Sequence, residues 1–234
     1  FDPLATAGKV ERCTGYSAKS SGILLEGTGD ASIEVIDVVG YGPIGLTLTD
    51  CKGIGGKGFS TGSGTFGVKL TDGNYVDFHG VANSGVGLGI YANASNIEVV
   101  NCSGLSYNYV AGLLDTNDNI NATIQNSDFN SLHLEATGCA LLVQNVGGGS
   151  LVDLVGGTYA VASDLAYGIS SNLSFSIHWN DLIFRTNYDY TINPNLTNLN
   201  PTSKRIINSS GCYHGNIDIT GQVFTNMYEI SDPG

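Results

Sequence analysis

The stretch Gly22-Ile23-Leu24-Leu25 decides the fold of this chain, because it returns at a nearly constant spacing. Its echoes begin 22 or 23 residues apart and are Gly45-Leu46-Thr47-Leu48, Gly67-Val68-Lys69-Leu70, Gly89-Ile90-Tyr91-Ala92 and Gly112-Leu113-Leu114-Asp115. Weaker echoes start at Gly138 and Gly168, after steps of 26 and 30 residues. A period in the low twenties that carries short strands and no helical pattern predicts a β-solenoid.

Each echo alternates between buried and exposed character. Leu46 and Leu48 flank the polar Thr47, and Val68, Lys69 and Leu70 repeat the pattern. Alternation with a period of two predicts a strand that turns one face to the core. The Thr, Asp and Asn residues that follow each strand, as in 49–50 and 71–72, are expected to satisfy backbone groups at corners.

A second strand in each coil places an acid between two apolar residues. The triplets are Ile33-Glu34-Val35, Val76-Asp77-Phe78, Ile97-Glu98-Val99, Val152-Asp153-Leu154 and Ile217-Asp218-Ile219. We expect the resulting outward column to read Glu34, Lys57, Asp77, Glu98, Thr123, Asp153, His178 and Asp218. Since parallel coils stack about 4.8 Å apart, Asp77 and Glu98 are predicted to be direct neighbours.

The composition excludes several classes of partner. The 234 residues carry a formal net charge of −12 without any basic run, which disfavours nucleic acid and anionic membranes. No apolar run approaches the roughly 20 residues that a membrane-spanning helix needs, so membrane insertion is not expected. Five irregularly spaced cysteines without a CxxC pair predict free buried thiols, and we expect neither a metal nor a cofactor.

The pattern divides the chain into three regions. Residues 1–20 are interpreted as a cap before the first coil, residues 21–184 as the parallel β-helix, and residues 185–234 as a long loop with a terminal coil or cap. The Asn-Pro pairs at 193–194 and 200–201 support the loop, because they break the strand pattern. A chain that begins at Phe1 is expected to be a processed or truncated product.

The glycine-led strands, Asn-rich corners and acid column together resemble the single-stranded right-handed parallel β-helix of pectin-lyase-like enzymes and of bacteriophage tailspikes and tail fibres. The resemblance covers about residues 20–182 and implies an all-β fold of about seven to eight coils. Low charge, abundant Gly, Asn and Ser, and free cysteines are more similar to a phage tail protein than to a secreted pectinase.

The resemblance implies a function in host adsorption. A tailspike or tail fibre is expected to form a homotrimer, to contact other virion tail proteins and to recognise bacterial surface polysaccharide, after synthesis in the host cytoplasm. One alternative is a polysaccharide depolymerase, either a glycoside hydrolase or a lyase, of the same fold. A second alternative is a non-catalytic structural or decoration protein of the virion.

Glycoside hydrolysis requires two carboxyl groups about 5–10 Å apart, and two sets of acids are candidates. In the first, Asp77 and Glu98 face each other on adjacent coils; the alternative is a solvated acid column in which Lys57 relieves repulsion. In the second, Asp115 occupies a core slot, where an acid is costly unless it is paired or functional. The alternative there is a shifted register that turns Asp115 outward.

Asp115, Asp118 and Glu98 are similar to the two Asp and one Glu that many phage glycosidases of this type carry. We therefore assign Glu98, Asp115 and Asp118 as catalytic candidates, with Asp77 as the reserve partner of Glu98.

Tyrosines provide the candidate sugar-binding surface, because sugar clefts combine aromatic faces with polar rims. Tyr107 and Tyr109 lie in an Asn-containing loop just before Asp115, and Tyr91 points outward from the preceding strand. The sequence therefore predicts Tyr91, Tyr107 and Tyr109 as binding residues; the alternative is that the loop tyrosines are ordinary surface residues without a ligand.

Overall fold

The computed structural model describes residues 8–27, 33–117, 119–133, 139–144, 151–162, 167–171, 176–180, 183–185, 199–201, 206–208 and 230–231. Every regular element in these ranges is a β-strand. The strands are β1 (Gly8–Glu11), β2 (Thr14–Tyr16), β3 (Ser21–Glu26), β4 (Ile33–Gly42), β5 (Ile44–Ser60), β6 (Phe66–Ala82), β7 (Val86–Ala92), β8 (Ile97–Val100), β9 (Ser103–Ser106), β10 (Gly112–Thr116), β11 (Ala122–Gln125), β12 (Asp128–Ser131), β13 (Cys139–Gln144), β14 (Leu151–Val155), β15 (Thr158–Val161), β16 (Tyr167–Ser171), β17 (Ser176–Asn180), β18 (Ile183–Arg185), β19 (Leu199–Pro201), β20 (Ile206–Asn208) and β21 (Ile230–Ser231).

The strands stack in parallel as three faces of a solenoid. The first face contains β3, the starts of β5 and β6, then β7, β10, β13 and β16. The second face contains β1, the start of β4, the middles of β5 and β6, then β8, β11, β14, β17 and β19. The third face contains β2, the ends of β4, β5 and β6, then β9, β12, β15, β18, β20 and β21. The predicted parallel β-solenoid is confirmed.

The solenoid has about five turns, fewer than the seven to eight coils expected from the sequence. Strands before and after these turns extend the same ladders: β1 and β2 pair with β4, while β19 and β20 pair with β17 and β18. The division of the chain at residues 20 and 184 stays a prediction.

A continuous apolar core fills the space between the three faces. Leu48, Leu70 and Val99 are fully buried in it, as the alternation predicted. Val76 was predicted to be buried and is only half-buried, because its neighbour Tyr75 points inward instead. The Tyr75 hydroxyl donates toward the carbonyl oxygens of Thr71 and Asp72, at 3.0 and 2.9 Å, so this buried phenol is paired with corner backbone.

The register of the first face differs from the one that a constant period predicted. Gly22, Gly45 and Gly67 are stacked, but the next position in this column is Gly87, and Gly89 lies beside Lys69. The slip arises in the loop between the third face and the next first strand, because Gly67 follows Gly58 by nine residues whereas Gly87 follows Gly80 by only seven. The next corner offsets this shortening: Thr71 is followed two residues later by the second-face residue Gly73, whereas its neighbour Tyr91 is followed six residues later by Ile97.

The side chain of Asp72 stabilises this longer corner. The carboxylate is buried, with 2% of its surface exposed, and accepts hydrogen bonds from the backbone N–H groups of Asn93, Ala94 and Ser95 at 2.7–3.2 Å. Burying a charged group is tolerated when several donors solvate it, and this carboxylate has three. The structural role predicted for the acids of this corner is confirmed at Asp72.

The acid column of the second face also differs from the prediction. Its outward positions read Lys9, Glu34, Lys52, Asn74, Glu98, Thr123 and Asp153, and the strand register continues this column with His178 and Asn200. Lys57 lies on the third face beside His79, and Asp218 lies outside the described residues.

Asp77 is not in the column, because it forms the corner after the second face. It has a left-handed backbone with φ 61°, and equivalent corner residues Asp37, Asn101 and Asn126 share that conformation. Aspartate and asparagine tolerate this region better than most residues do. Glu98 is therefore stacked on Asn74, and the predicted contact between Asp77 and Glu98 is wrong.

Two columns of glycine close the coils where the third face meets the next first strand. The third-face column is Gly15, Gly40, Gly58, Gly80 and Gly104, and the first-face column is Gly22, Gly45, Gly67 and Gly87. A Cβ atom at Gly58 would overlap the carbonyl oxygen of Gly67, and Gly40 and Gly80 meet Gly45 and Gly87 in the same way. We call this backbone-on-backbone contact the glycine seam; it admits no side chain.

The glycine seam predicts that the loss of folding stability caused by a Gly→Ala substitution depends on the position of the glycine. Gly58→Ala should lower the free energy of unfolding by about 3 kcal/mol or more, because the overlap is with rigid backbone. Gly62→Ala is the control: its φ is +70° but no atom lies within 4 Å of the added Cβ, so about 1–2 kcal/mol of backbone strain is expected. Denaturant unfolding of both variants measures the difference, and equal losses would contradict the seam.

Candidate functional site

A groove lies on the outer surface of the first face, away from the core. Its floor is a second apolar cluster, separate from the main core, in which Val86, Val110, Leu113 and Cys139 are buried and Phe66, Tyr91 and Leu142 are half-buried. Loops that join the third face to the next first strand form its wall through Ser63, Thr65, Ser84 and Tyr109. The cavity volume is about 430 Å³, which is within the size of small-molecule sites.

Aromatic rings of the groove meet edge to face. The centroids of Phe66 and Tyr91 are 6.0 Å apart with an interplanar angle of 76°, and Lys69 Nζ lies 4.7 Å from the Tyr91 centroid. Gly89 makes this contact possible, since a Cβ there would come within 2.8 Å of Phe66 Cε1 and 3.0 Å of Tyr91 Cε2. A glycine at position 89 therefore leaves the space in which these two rings pack.

The polar end of the groove is built from Gln144 and Asp115. Gln144 lines the groove and its Nε2 donates to Asp115 Oδ2 at 3.3 Å. Asp115 pairs in register with Tyr91, and its half-buried side chain points outward while Leu114 is fully buried. The shifted register considered from the sequence is confirmed, and Asp115 does not occupy a core slot.

The phenol of Tyr91 stays protonated under ordinary conditions. Burial raises its pKa to about 12, and the negative charge of Asp115 adds to that effect. A protonated phenol can donate one hydrogen bond and accept others, which suits recognition of hydroxyl groups.

Two buried serines hold the loop that carries Tyr109. Ser106 Oγ donates to the carbonyl oxygen of Gly85 at 2.7 Å and accepts from the Tyr109 N–H at 3.0 Å. Ser131 Oγ donates to the carbonyl oxygen of Tyr109 at 2.7 Å. Both serines are fully buried. Hydrogen bonds therefore hold both the backbone N–H and the backbone carbonyl group of the wall residue Tyr109.

The groove brings together only part of the predicted site. Tyr91 and Tyr109 line it, with Tyr109 42% exposed, whereas Tyr107 on the same loop is 46% exposed and does not line it. Asp115 reaches the groove through Gln144. Asp118 lies outside the described residues.

Glu98 and Asp77 are not at the groove. Glu98 is on the second face, where Gln125 Nε2 donates to its Oε1 at 3.4 Å, and Asp77 forms a corner. The two catalytic candidates Glu98 and Asp115 therefore point outward from different faces. Their assignment as a catalytic group stays a prediction.

Sequence reasoning missed Phe66, Gln144 and Ser106. Phe66 directly precedes Gly67, the first residue of a repeat. It was not predicted because it lies one residue outside the repeated motif. Gln144 follows a weak echo with an irregular step. Ser106 precedes Tyr107 and gave no signal, because only the fold shows that its hydroxyl bridges two coils.

Other features of the described residues have structural explanations. On the third face the rings of Tyr16, Tyr41 and Phe59 stack at centroid distances of 4.8 and 4.9 Å and are nearly parallel, so the middle ring exposes its edge rather than its face to solvent.

Burial raises the pKa of the free thiols Cys51 and Cys102 to about 11 and about 12, which keeps both protonated.

The prediction of buried cysteines outside disulfides holds for Cys51, Cys102 and Cys139, whereas Cys13 is exposed and Cys212 lies outside the described residues. Among the described residues no cluster of His, Cys, Asp or Glu is arranged to hold a metal ion. In those residues no helix has the length and apolar character to cross a membrane.

Comparison with family models, curated proteins and solved structures gave no match for this chain.

The serine bridges predict a local change that is separate from their effect on stability. Ser106→Ala should release the Tyr109 amide, so that its hydrogen exchange accelerates, while the free energy of unfolding falls by about 1–3 kcal/mol.

Ser127→Ala is the matched control, because Ser127 is also fully buried and its Oγ bridges the Cys102 N–H and the Gln125 carbonyl oxygen. This variant should lose similar stability and leave the exchange of Tyr109 unchanged. NMR-detected exchange measures both; equal effects on the Tyr109 amide would show that Ser106 does not position the wall.

Proposed function

We propose that this protein binds a bacterial surface polysaccharide in the groove of its first face. The observation that carries the proposal is the combination of half-buried aromatic rings, Phe66 and Tyr91, with polar groups of Ser84, Gln144 and Tyr109 at one outward groove. Apolar faces of sugar rings pack on aromatic side chains, and their hydroxyl groups need a polar rim.

Fixed geometry supports binding as well. Tyr109 is held by hydrogen bonds to buried Ser106 and Ser131, and the ring of Tyr91 is held between Phe66 and Lys69. A groove whose side chains are already ordered loses less conformational entropy when a ligand binds.

The wider setting that we propose comes from the resemblance to phage tail proteins. In it the protein is the receptor-binding part of a tailspike or tail fibre in the virion, a homotrimer of right-handed β-helices attached to other tail proteins. Light scattering of the intact protein tests the trimer, and a stable monomer would contradict it.

Binding is better supported than cleavage. A glycosidase needs a second carboxyl group within about 10 Å of the first, and the described acid at the groove is Asp115, while Glu98 lies on another face. We therefore expect the bound polysaccharide to remain intact. Release of oligosaccharide that Asp115→Asn abolishes would establish the depolymerase instead.

Replacing a groove tyrosine should weaken binding without unfolding the protein. Tyr109→Ala and Tyr91→Ala are each expected to lower affinity for the recognised polysaccharide about tenfold, which corresponds to about 1.4 kcal/mol. Binding to a printed array of bacterial surface polysaccharides identifies the ligand, and calorimetry then measures the affinity.

Tyr16→Ala is the control, because Tyr16 is 77% exposed and lies on the third face. It should leave affinity unchanged. Equal losses in Tyr16→Ala and Tyr109→Ala would place the ligand elsewhere. Absence of binding to every polysaccharide would favour a structural role in the virion.

A further inference from the structure

The part of the groove that the structure describes has an uncharged lining. Its residues are Ser, Thr, Gly, Phe, Val, Tyr, Leu and Gln, without a single Lys, Arg, Asp or Glu. Proteins that bind anionic groups place Arg, Lys or clustered backbone N–H donors against them. The groove therefore lacks, over its described lining, the side-chain charges that such a ligand requires.

Two charged side chains lie next to this lining without being part of it. Gln144 holds the carboxylate of Asp115 at the polar end, at 3.3 Å, where it would repel an anionic ligand. Lys69 Nζ lies 4.7 Å from the centroid of the Tyr91 ring and, like Asp115, outside the described lining, so one positive and one negative charge flank the groove. The chain as a whole carries a net charge of −12, which adds a long-range repulsion of anions.

We infer that the groove selects uncharged glycan segments and discriminates against segments that carry uronic acid or other carboxylate groups. The inference rests on the proposed function and names its ligand class. Hydroxyl groups of a neutral sugar can pair with the Tyr91 phenol, the Gln144 amide and the Ser84 hydroxyl without any compensating charge.

The discriminating variant changes the charge at Gln144. Gln144→Lys places an ammonium group beside Asp115 in the groove and should raise affinity for uronate-bearing polysaccharide about tenfold. Gln125→Lys is the matched control, because Gln125 donates to Glu98 at 3.4 Å on the second face just as Gln144 donates to Asp115 on the first. The control should leave affinity for every polysaccharide unchanged.

The experiment uses a printed array of bacterial surface polysaccharides, half of them uncharged and half bearing uronic acid, at ~10 and ~500 mM salt. The wild type should bind uncharged members at both salt concentrations, and uronate-bearing members at least tenfold more weakly. Only Gln144→Lys should gain salt-sensitive binding of the uronate-bearing members. The unfolding midpoints of both variants confirm that they are folded.

The outcomes separate the inference from the proposed function. Wild-type preference for uronate-bearing polysaccharide would overturn the inference and leave glycan binding standing. The same gain in Gln125→Lys and Gln144→Lys would also overturn it, since the charge would then act outside the groove. Binding of neither class would overturn both proposals.

Discussion

The close approach of two backbones at the glycine seam is the constraint on which the rest of this structure depends. Gly58 and Gly67, like Gly80 and Gly87, lie so near each other that no side chain fits between them. The third strand of one coil is thereby fixed against the first strand of the next. The loops between them, 61–65, 83–85 and 107–109, must leave the solenoid at this edge, and there they form the wall of the groove.

The seam changes character further along the chain. The third-face column continues after Gly104 with Phe129 and Tyr159, two fully buried rings whose centroids are 5.5 Å apart. Gly112 gives Phe129 its space, since a Cβ there would meet the Phe129 ring. The later coils thus replace backbone contact with aromatic packing, and the constant-period description of the sequence fails in the same region.

The sequence predicted the parallel coil because alternation and period depend on local geometry that every coil shares. It predicted the register less well, because corner length varies from coil to coil and Asp72 stabilises an insertion that no local pattern signals. It placed Asp77 in the outward column of the second face because a left-handed aspartate between Val76 and Phe78 looks like alternation in the sequence. A slip of one residue then decided whether Asp115 faced the core or the groove.

The groove residues also show which parts of the site the sequence can and cannot predict. Tyr91 and Tyr109 were found from residue type and from their places on an outward strand position and on a loop. Their partners Phe66 and Gln144 come from one coil earlier and two coils later, and only the stacking of those coils brings them together. Ser106 is on the same coil as both tyrosines, but its hydroxyl bridges to Gly85 only in the folded solenoid. The uncharged lining over the described residues of the groove and a pKa of about 12 at Tyr91 are consequences of that stacking.

Cross-linking across the first face tests the register most directly. In a Cys13→Ser background, which removes the exposed thiol among the described residues, Tyr91→Cys is combined either with Thr71→Cys or with Lys69→Cys. Thr71 and Tyr91 are register partners about 4.8 Å apart, whereas Lys69 and Tyr91 lie about 8 Å apart, beyond the roughly 7 Å limit for a disulfide. We predict that oxidation cross-links the Thr71 pair and leaves the Lys69 pair as free thiols. A disulfide in the Lys69 pair alone would contradict the register and, with it, the groove.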